Sequence, residues 1–308
     1  MAYLEGGTMG MARNGDIELA YETFGATDGE PLLLISGTGV QMLIFPDDLC
    51  DALVDLGFTV ARFDNRDTGL STHLTGVPAP GWLKTMIRPS SAPYRLEDMA
   101  EDALAVLDAL GWRSAHLVGT SLGGMIAQTL AIRHPARVRT LTSIMSTPGA
   151  RIGTMPKIAT LRAIMKLAHM PVTSPDQAAQ EAVEMKKLIG SPRYPFDEKE
   201  AADIGRRSYE RHPGSPDGDA RQRAAVTASG DRRKALAALR VPTLVLHGED
   251  DPVIRLKAGQ ATAAAIPGAR LVTYPGMGHD LPRQLWPSML GHIRALAMAH
   301  DADHVIDN

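Results

Sequence analysis

Short, unbroken apolar runs recur along the chain, and segments with helical periodicity fill the gaps between them. Residues 31–36 read Pro-Leu-Leu-Leu-Ile-Ser and lead into Gly-Thr-Gly. A run of that length, closed by glycine, predicts a strand buried on both faces. Phe58–Asp64, Ser114–Gly119, Arg139–Met145, Pro242–Gly248 and Ala269–Gly276 have the same character. Asp47–Gly57, Arg95–Gly111 and Leu122–Pro135 instead carry apolar residues at helical spacing and stop at Gly or Pro. Strand and helix in repetition predict an α/β fold, with a mostly parallel sheet flanked by helices on both faces. Gly15–Gly25 alternates apolar and polar residues, which predicts an antiparallel strand at the sheet edge.

Two stretches break this rhythm. Thr72–Tyr94 carries Pro78, Pro80, Pro89 and Pro93 and reads as a long loop. Gly149–Gly230 carries seven prolines and no strand pattern, yet its pieces 158–170 and 176–190 are amphipathic with a helical period. Strands resume after Val241, so this stretch is expected to be a helical cap inserted into one domain. Residues 1–148 and 231–308 then form the core and 149–230 the insertion.

Composition narrows the function without naming it. The 308 residues are 44% hydrophobic and 22% charged with a net charge of −3, which fits a folded globular chain. No basic excess exists to neutralise phosphates, so a dedicated nucleic-acid binder is disfavoured. No apolar run reaches the roughly 18 residues of a membrane-spanning helix, and no basic-then-apolar leader opens the chain. A single cysteine, Cys50, leaves no internal disulfide and no cysteine-based metal cluster. Cytoplasmic residence is the default expectation.

The chemistry-bearing signal is Gly119-Thr120-Ser121-Leu122-Gly123, set between a predicted strand and a predicted helix. In that setting the chain turns sharply, and glycines are needed where backbones approach closely. Ser121 is then held with its hydroxyl exposed at the end of a strand. The Leu122 N–H lies at a helix N-terminus, where developing negative charge is favoured. A serine nucleophile needs a base, and the base needs a carboxylate to orient it. His279 stands in a Gly-flanked loop after the last predicted strand, and Asp250 and Asp251 follow another. Loops after the strands of a parallel sheet converge at one edge, where ligands bind.

With these residues in place, the chain resembles the α/β-hydrolase superfamily from about Gly15 to His300. The resemblance implies that fold, with a helical cap. In that family the acid stands in a G-x-x-D-P pattern, here Gly248-Glu249-Asp250-Asp251-Pro252, so the resemblance assigns Asp251, with Asp250 second. The family's base follows a G-x-G-H turn, here Gly276-Met277-Gly278-His279. A second oxyanion donor comes from the loop after an early strand, often H-G-x. Here the loop is Ser36-Gly37-Thr38-Gly39, which implies the Thr38 N–H although the histidine is absent. Asp64-Asn65-Arg66-Asp67-Thr68-Gly69-Leu70-Ser71 resembles a structural turn of the same family. In motif style the chain is most similar to the aclacinomycin methylesterase group.

The expected activity is hydrolysis of a carboxylic ester, small to medium and apolar or a methyl ester, through an acyl-enzyme. Ser121 is the nucleophile, His279 the base and Asp251 its orienting acid. Thr38 and Leu122 supply the oxyanion hole, Gly37 and Met125 contact substrate, and no metal or organic cofactor is required. A serine at 121 argues against the aspartate-nucleophile branches of the superfamily. An amidase or peptidase, a cofactor-free perhydrolase and a non-catalytic ligand receptor on the same fold are the competing readings.

Other residues have plainer explanations. His134 caps a helix end, His247 packs at a strand end, and Lys186-Lys187 forms a solvated helix face. Cys50 occupies a core position. His300-Asp301-Ala302-Asp303-His304 has metal-like spacing but is expected to be a frayed, solvated terminus. Met155, Met165, Met170 and Met185 are expected to pack the insertion or line its pocket.

Overall fold

The computed structural model describes residues 7–149, 158–168 and 172–306. Eight strands form one sheet: β1 (Thr8–Asn14), β2 (Ile17–Phe24), β3 (Glu30–Ile35), β4 (Phe58–Phe63), β5 (Ala115–Thr120), β6 (Val138–Ile144), β7 (Thr243–Gly248) and β8 (Arg270–Tyr274). Their spatial order is β1-β2-β4-β3-β5-β6-β7-β8. β1 pairs antiparallel with β2 and β2 antiparallel with β4, while all other pairings are parallel.

The described helices are α1 (Asp47–Asp55), α2 (Trp82–Ile87), α3 (Leu96–Ala109), α4 (Leu122–Arg133), α5 (Ile158–Ala168), α6 (Pro175–Ile189), α7 (Glu198–Arg211), α8 (Pro216–Ser229), α9 (Arg233–Leu236), α10 (Leu256–Ala265) and α11 (Trp286–Ile306). Within the apolar strands the side chains alternate between two cores. Leu33 and Ile35 of β3 pack with Leu117 on the face covered by α3 and α4. Leu32 and Leu34 pack with Val118 on the face covered by α1 and α11. A strand buried on both faces has no polar side, which explains the unbroken run in the sequence.

Three expectations need correction. β2 is not the edge strand, because β1 pairs outside it from Thr8↔Thr23 to Asn14↔Ile17. β1 lacks an alternation signal because its outward positions include Met9 and Met11, both about half exposed, while Ala12 faces the core. The proline-rich segment after Thr72 is not all loop, since its prolines bracket the short helix α2. Proline is tolerated at helix borders and excluded from interiors. The C-terminus does not fray at His300, as α11 runs on to Ile306.

Helices α5 to α8 lie between β6 and β7, where the insertion is expected. Two of them, α7 and α8, have no separate signature in the sequence reading. Buried polar pairs tie α8 to the turn after β4. Arg221 donates to both oxygens of Asp67, at 2.9 and 2.6 Å, and Tyr94 Oη donates to the same carboxylate at 2.7 Å. Arg66 makes a second bidentate pair with Asp102. Asp64 accepts from the Met42 and Leu70 N–H groups. This supports the structural reading of the 64–71 turn. No described helix is long and apolar enough to cross a membrane.

Candidate active site

The turn from β5 into α4 places Ser121 in a conformation that side chains rarely adopt, φ 53° and ψ −116°. Its N–H donates to Ile144 O at 2.9 Å, and its carbonyl accepts from Gly124 N, Met125 N and Ser146 Oγ. The surrounding structure over-determines the strained residue, as such outliers require. The flanking glycines have steric causes. A Cβ on Gly123 would lie 1.9 Å from Ile35 O, and one on Gly119 would lie 2.2 Å from Gly123 O. Helix α4 can therefore start close to β3 and aim its N-terminus at the sheet edge.

At that edge the structure brings together the three side chains singled out in the sequence. His279 Nε2 lies 3.1 Å from Ser121 Oγ, and His279 Nδ1 lies 2.7 Å from Asp251 Oδ2. The other Asp251 oxygen accepts the N–H groups of Val253 and Ile254, each at 2.8 Å. Asp251 is buried, whereas Asp250 is exposed and contributes its backbone N–H to Met277 O. Geometry thus selects Asp251 from the adjacent pair. The carboxylate accepts from Nδ1–H, which leaves the Nε2 lone pair facing the serine hydroxyl.

Gly37 lies beside the serine, since a Cβ there would be 3.5 Å from Ser121 Cβ. The Gly39 N–H is taken by Gln222 Oε1 at 2.8 Å. Neither the Thr38 nor the Leu122 N–H has a hydrogen-bond acceptor among the described residues. Both belong to segments that flank Ser121: Thr38 follows Gly37, and Leu122 opens α4. Met125, one turn into α4, is buried among core residues.

His247 does more than pack. Its Nε2–H donates to Ile254 O at 2.7 Å, which braces the loop holding Asp251. Burial lowers its pKa and keeps it neutral, so Asp251 does not face a second cation. Asp219 from α8 stands against Gly39. Burial raises the Asp219 carboxyl pKa, and the Asp67 charge adds to this against the pull of Arg223. The Glu181 carboxyl is raised by burial and by Asp219.

Residues 30–282 match the family described as alpha/beta hydrolase fold. The chain is an α/β hydrolase. It is 30% identical to the rhodomycin D methylesterase of Streptomyces sp. (strain C5), over 92% of this chain and 98% of that protein. It is 29% identical to a putative carbamate hydrolase of Variovorax paradoxus, over 85% of this chain and 89% of the relative. Among solved structures, the enol-lactonase from Burkholderia xenovorans LB400 matches with a TM-score of 0.70 at 23% identity, covering 94% and 100% of the two chains, and shows the shared fold.

Several minor assignments change in this hydrolase. Lys186 is not a solvated charge, since its Nζ pairs with the buried Asp280 at 2.7 Å. Lys187 does remain on an exposed face with Glu184 and Glu198. His134 does stand at a helix end, as the C-cap of α4, and its ring also contacts Glu101 at 2.9 Å. Cys50 is fully buried, as expected. Met165 is 51% exposed and so is not core, and Met185 is half-buried. Met155 and Met170 lie outside the described residues. Sequence reasoning missed Gln222, Asp219 and Ser191 beside the site. All three come from the insertion, and no short motif marks them.

Proposed function

We propose that this hydrolase cleaves a carboxylic ester of a small to medium apolar acid, or a methyl ester, through an acyl-enzyme. The observation that carries the reading is the continuous chain Ser121 Oγ, His279 and Asp251 on a strained strand-to-helix turn. Ser121 attacks the ester carbonyl as His279 Nε2 takes its proton. Asp251 holds the imidazole tautomer and stabilises the imidazolium. The Thr38 and Leu122 N–H groups receive the oxyanion, each contributing about 3 kcal/mol in the transition state. His279 then protonates the leaving alcohol and activates the water that releases the acid. Every group needed comes from the chain, so the route uses no metal or organic cofactor. The helices between β6 and β7 act as a cap over this edge, with Gly37 on the substrate side.

The relatives support ester cleavage, and the methylesterase covers nearly the full length of both chains. The test is hydrolysis of p-nitrophenyl esters, from acetate to long acyl chains, by the wild type and Ser121→Ala together. Turnover that vanishes in the variant, with an optimum at short or medium acyl length, is the expected result. Equal rates in the two proteins would refute the role of Ser121.

A further inference from the structure

The catalytic geometry depends on where the loop carrying His279 sits, and that loop has little regular structure of its own. From the core side it is held by Asp250 N–H to Met277 O at 3.1 Å and Met277 N–H to Tyr274 O at 3.2 Å. The other side is held by the segment that leaves α6. The His279 N–H donates to Ile189 O at 2.7 Å. The Gly278 N–H donates to Ser191 Oγ at 2.9 Å, and Ser191 Oγ–H donates to Asp280 Oδ1. Lys186 Nζ pairs with Asp280 Oδ2 at 2.7 Å, and the Asp280 side chain is only 7% exposed. Tyr194 Oη reaches Pro275 O at 3.1 Å.

The glycines of the Gly-Met-Gly-His turn fit this contact. A Cβ on Gly278 would lie 2.3 Å from Gly190 O, and one on Gly276 would lie 2.5 Å from Arg193 Cβ. At Gly278 the two backbones run too close for a side chain, and at Gly276 the Arg193 side chain fills the space. The inserted segment therefore forms half of the seat of the base.

We propose that Ser191, with the Lys186–Asp280 pair, is a positioning unit for His279, so that the inserted helices align the base as well as cover the substrate. The inference rests on the proposed role of His279. Ser191 fixes the peptide preceding the base and orients the carboxylate following it. Lys186 pairs with that carboxylate, on the residue following the base. The other charged and titratable groups around His279 are Asp251 and the neutral His247 behind it, the exposed Glu249 and Asp250 after β7, and the exposed Arg193. Lys186 is thus the cation that offsets Asp280. A shift of the base by a fraction of an ångström lengthens the 3.1 Å approach to Ser121, and rates are steep in such distances.

The experiment compares Ser191→Ala, Ser191→Thr, Lys186→Met, Asp280→Asn and the Lys186→Met/Asp280→Asn double variant. Steady-state ester hydrolysis is measured across pH, together with the rate of fluorophosphonate labelling of Ser121. Ser191→Ala should lower kcat and the labelling rate by about 10- to 100-fold with KM changed far less. Ser191→Thr, which keeps the hydroxyl, should restore most of the loss. Lys186→Met removes the partner that holds the Asp280 carboxylate and should lower kcat and the labelling rate in the same direction as Ser191→Ala. The double variant should lose no more than the worse single variant, because the pair acts as one unit. Unchanged kcat and labelling rates in all variants, or a Ser191→Ala effect confined to KM and Tm, would overturn the proposal. Labelling separates this outcome from a wrong substrate class, because it reads the serine and its base without an ester. A wild type that resists labelling would remove both the role of His279 and the inference built on it.

Discussion

Asp251→Asn changes one atom and forces a choice between two poor arrangements. In the wild type, Oδ1 accepts two backbone N–H groups at 2.8 Å and Oδ2 faces His279 Nδ1 at 2.7 Å. An asparagine that keeps its oxygen on the two amides turns its NH2 toward Nδ1. The imidazole must then carry its proton on Nε2, and it can no longer accept from Ser121. The flipped amide restores the tautomer but sets NH2 against two N–H donors. Leaving those donors unsatisfied costs about 3 kcal/mol, so roughly one molecule in 150 holds the productive arrangement. Replacing a carboxylate by a neutral acceptor weakens the remaining bond by a further 1–2 kcal/mol or so, about another tenfold. The expected loss in kcat is therefore about 10³- to 10⁴-fold, with KM changed little. Parallel assays of p-nitrophenyl ester hydrolysis and of fluorophosphonate labelling would measure it. Asp250→Asn is the comparison, and its exposed carboxylate should matter less than about threefold. A loss below tenfold at Asp251, or equal losses at both positions, would refute the tautomer argument.

Other consequences follow from the packing and charge pattern. Gly123→Ala puts a methyl 1.9 Å from Ile35 O, so α4 must withdraw from β3. A Tm drop worth at least 1–3 kcal/mol or so is expected, and an unchanged melting curve would contradict the close approach. Arg221→Met leaves the Asp67 carboxylate buried without its cation, which should destabilise the fold by about 3–5 kcal/mol in urea unfolding. Folding raises the Asp219 pKa, so its contribution to stability is present at low pH and lost as pH rises through the folded value. Asp219→Asn should therefore melt higher than the wild type at neutral pH and converge with it under acid conditions; the reverse order would remove the charge-burial argument. Burial pushes the Cys50 thiol up to about 12, so a thiol reagent at pH 8 should react only after unfolding.

Local sequence determined the elements whose physics is local. The apolar runs became β3 to β8, because strands covered by helices on both faces are built mainly from apolar residues. Gly119 and Gly123 announced a turn that no side chain could make, and Ser121 is held there at positive φ. Asp251 and His279 were legible because the acid and the base each follow a strand within a few residues. The tertiary structure decided what depends on distant partners. β1 hid its place because Met9 and Met11 face outward. The resemblance puts Asp251 ahead of Asp250, and the fold supplies the physical reason, since only the Asp251 carboxylate turns inward to meet His279. Lys186 looked like one of two solvated lysines until folding set it against Asp280, nearly a hundred positions away. Hydrophobic periodicity records which face of an element is buried. It carries no record of which remote polar group will meet it there, and in this hydrolase such meetings surround the loop of His279, the proposed base.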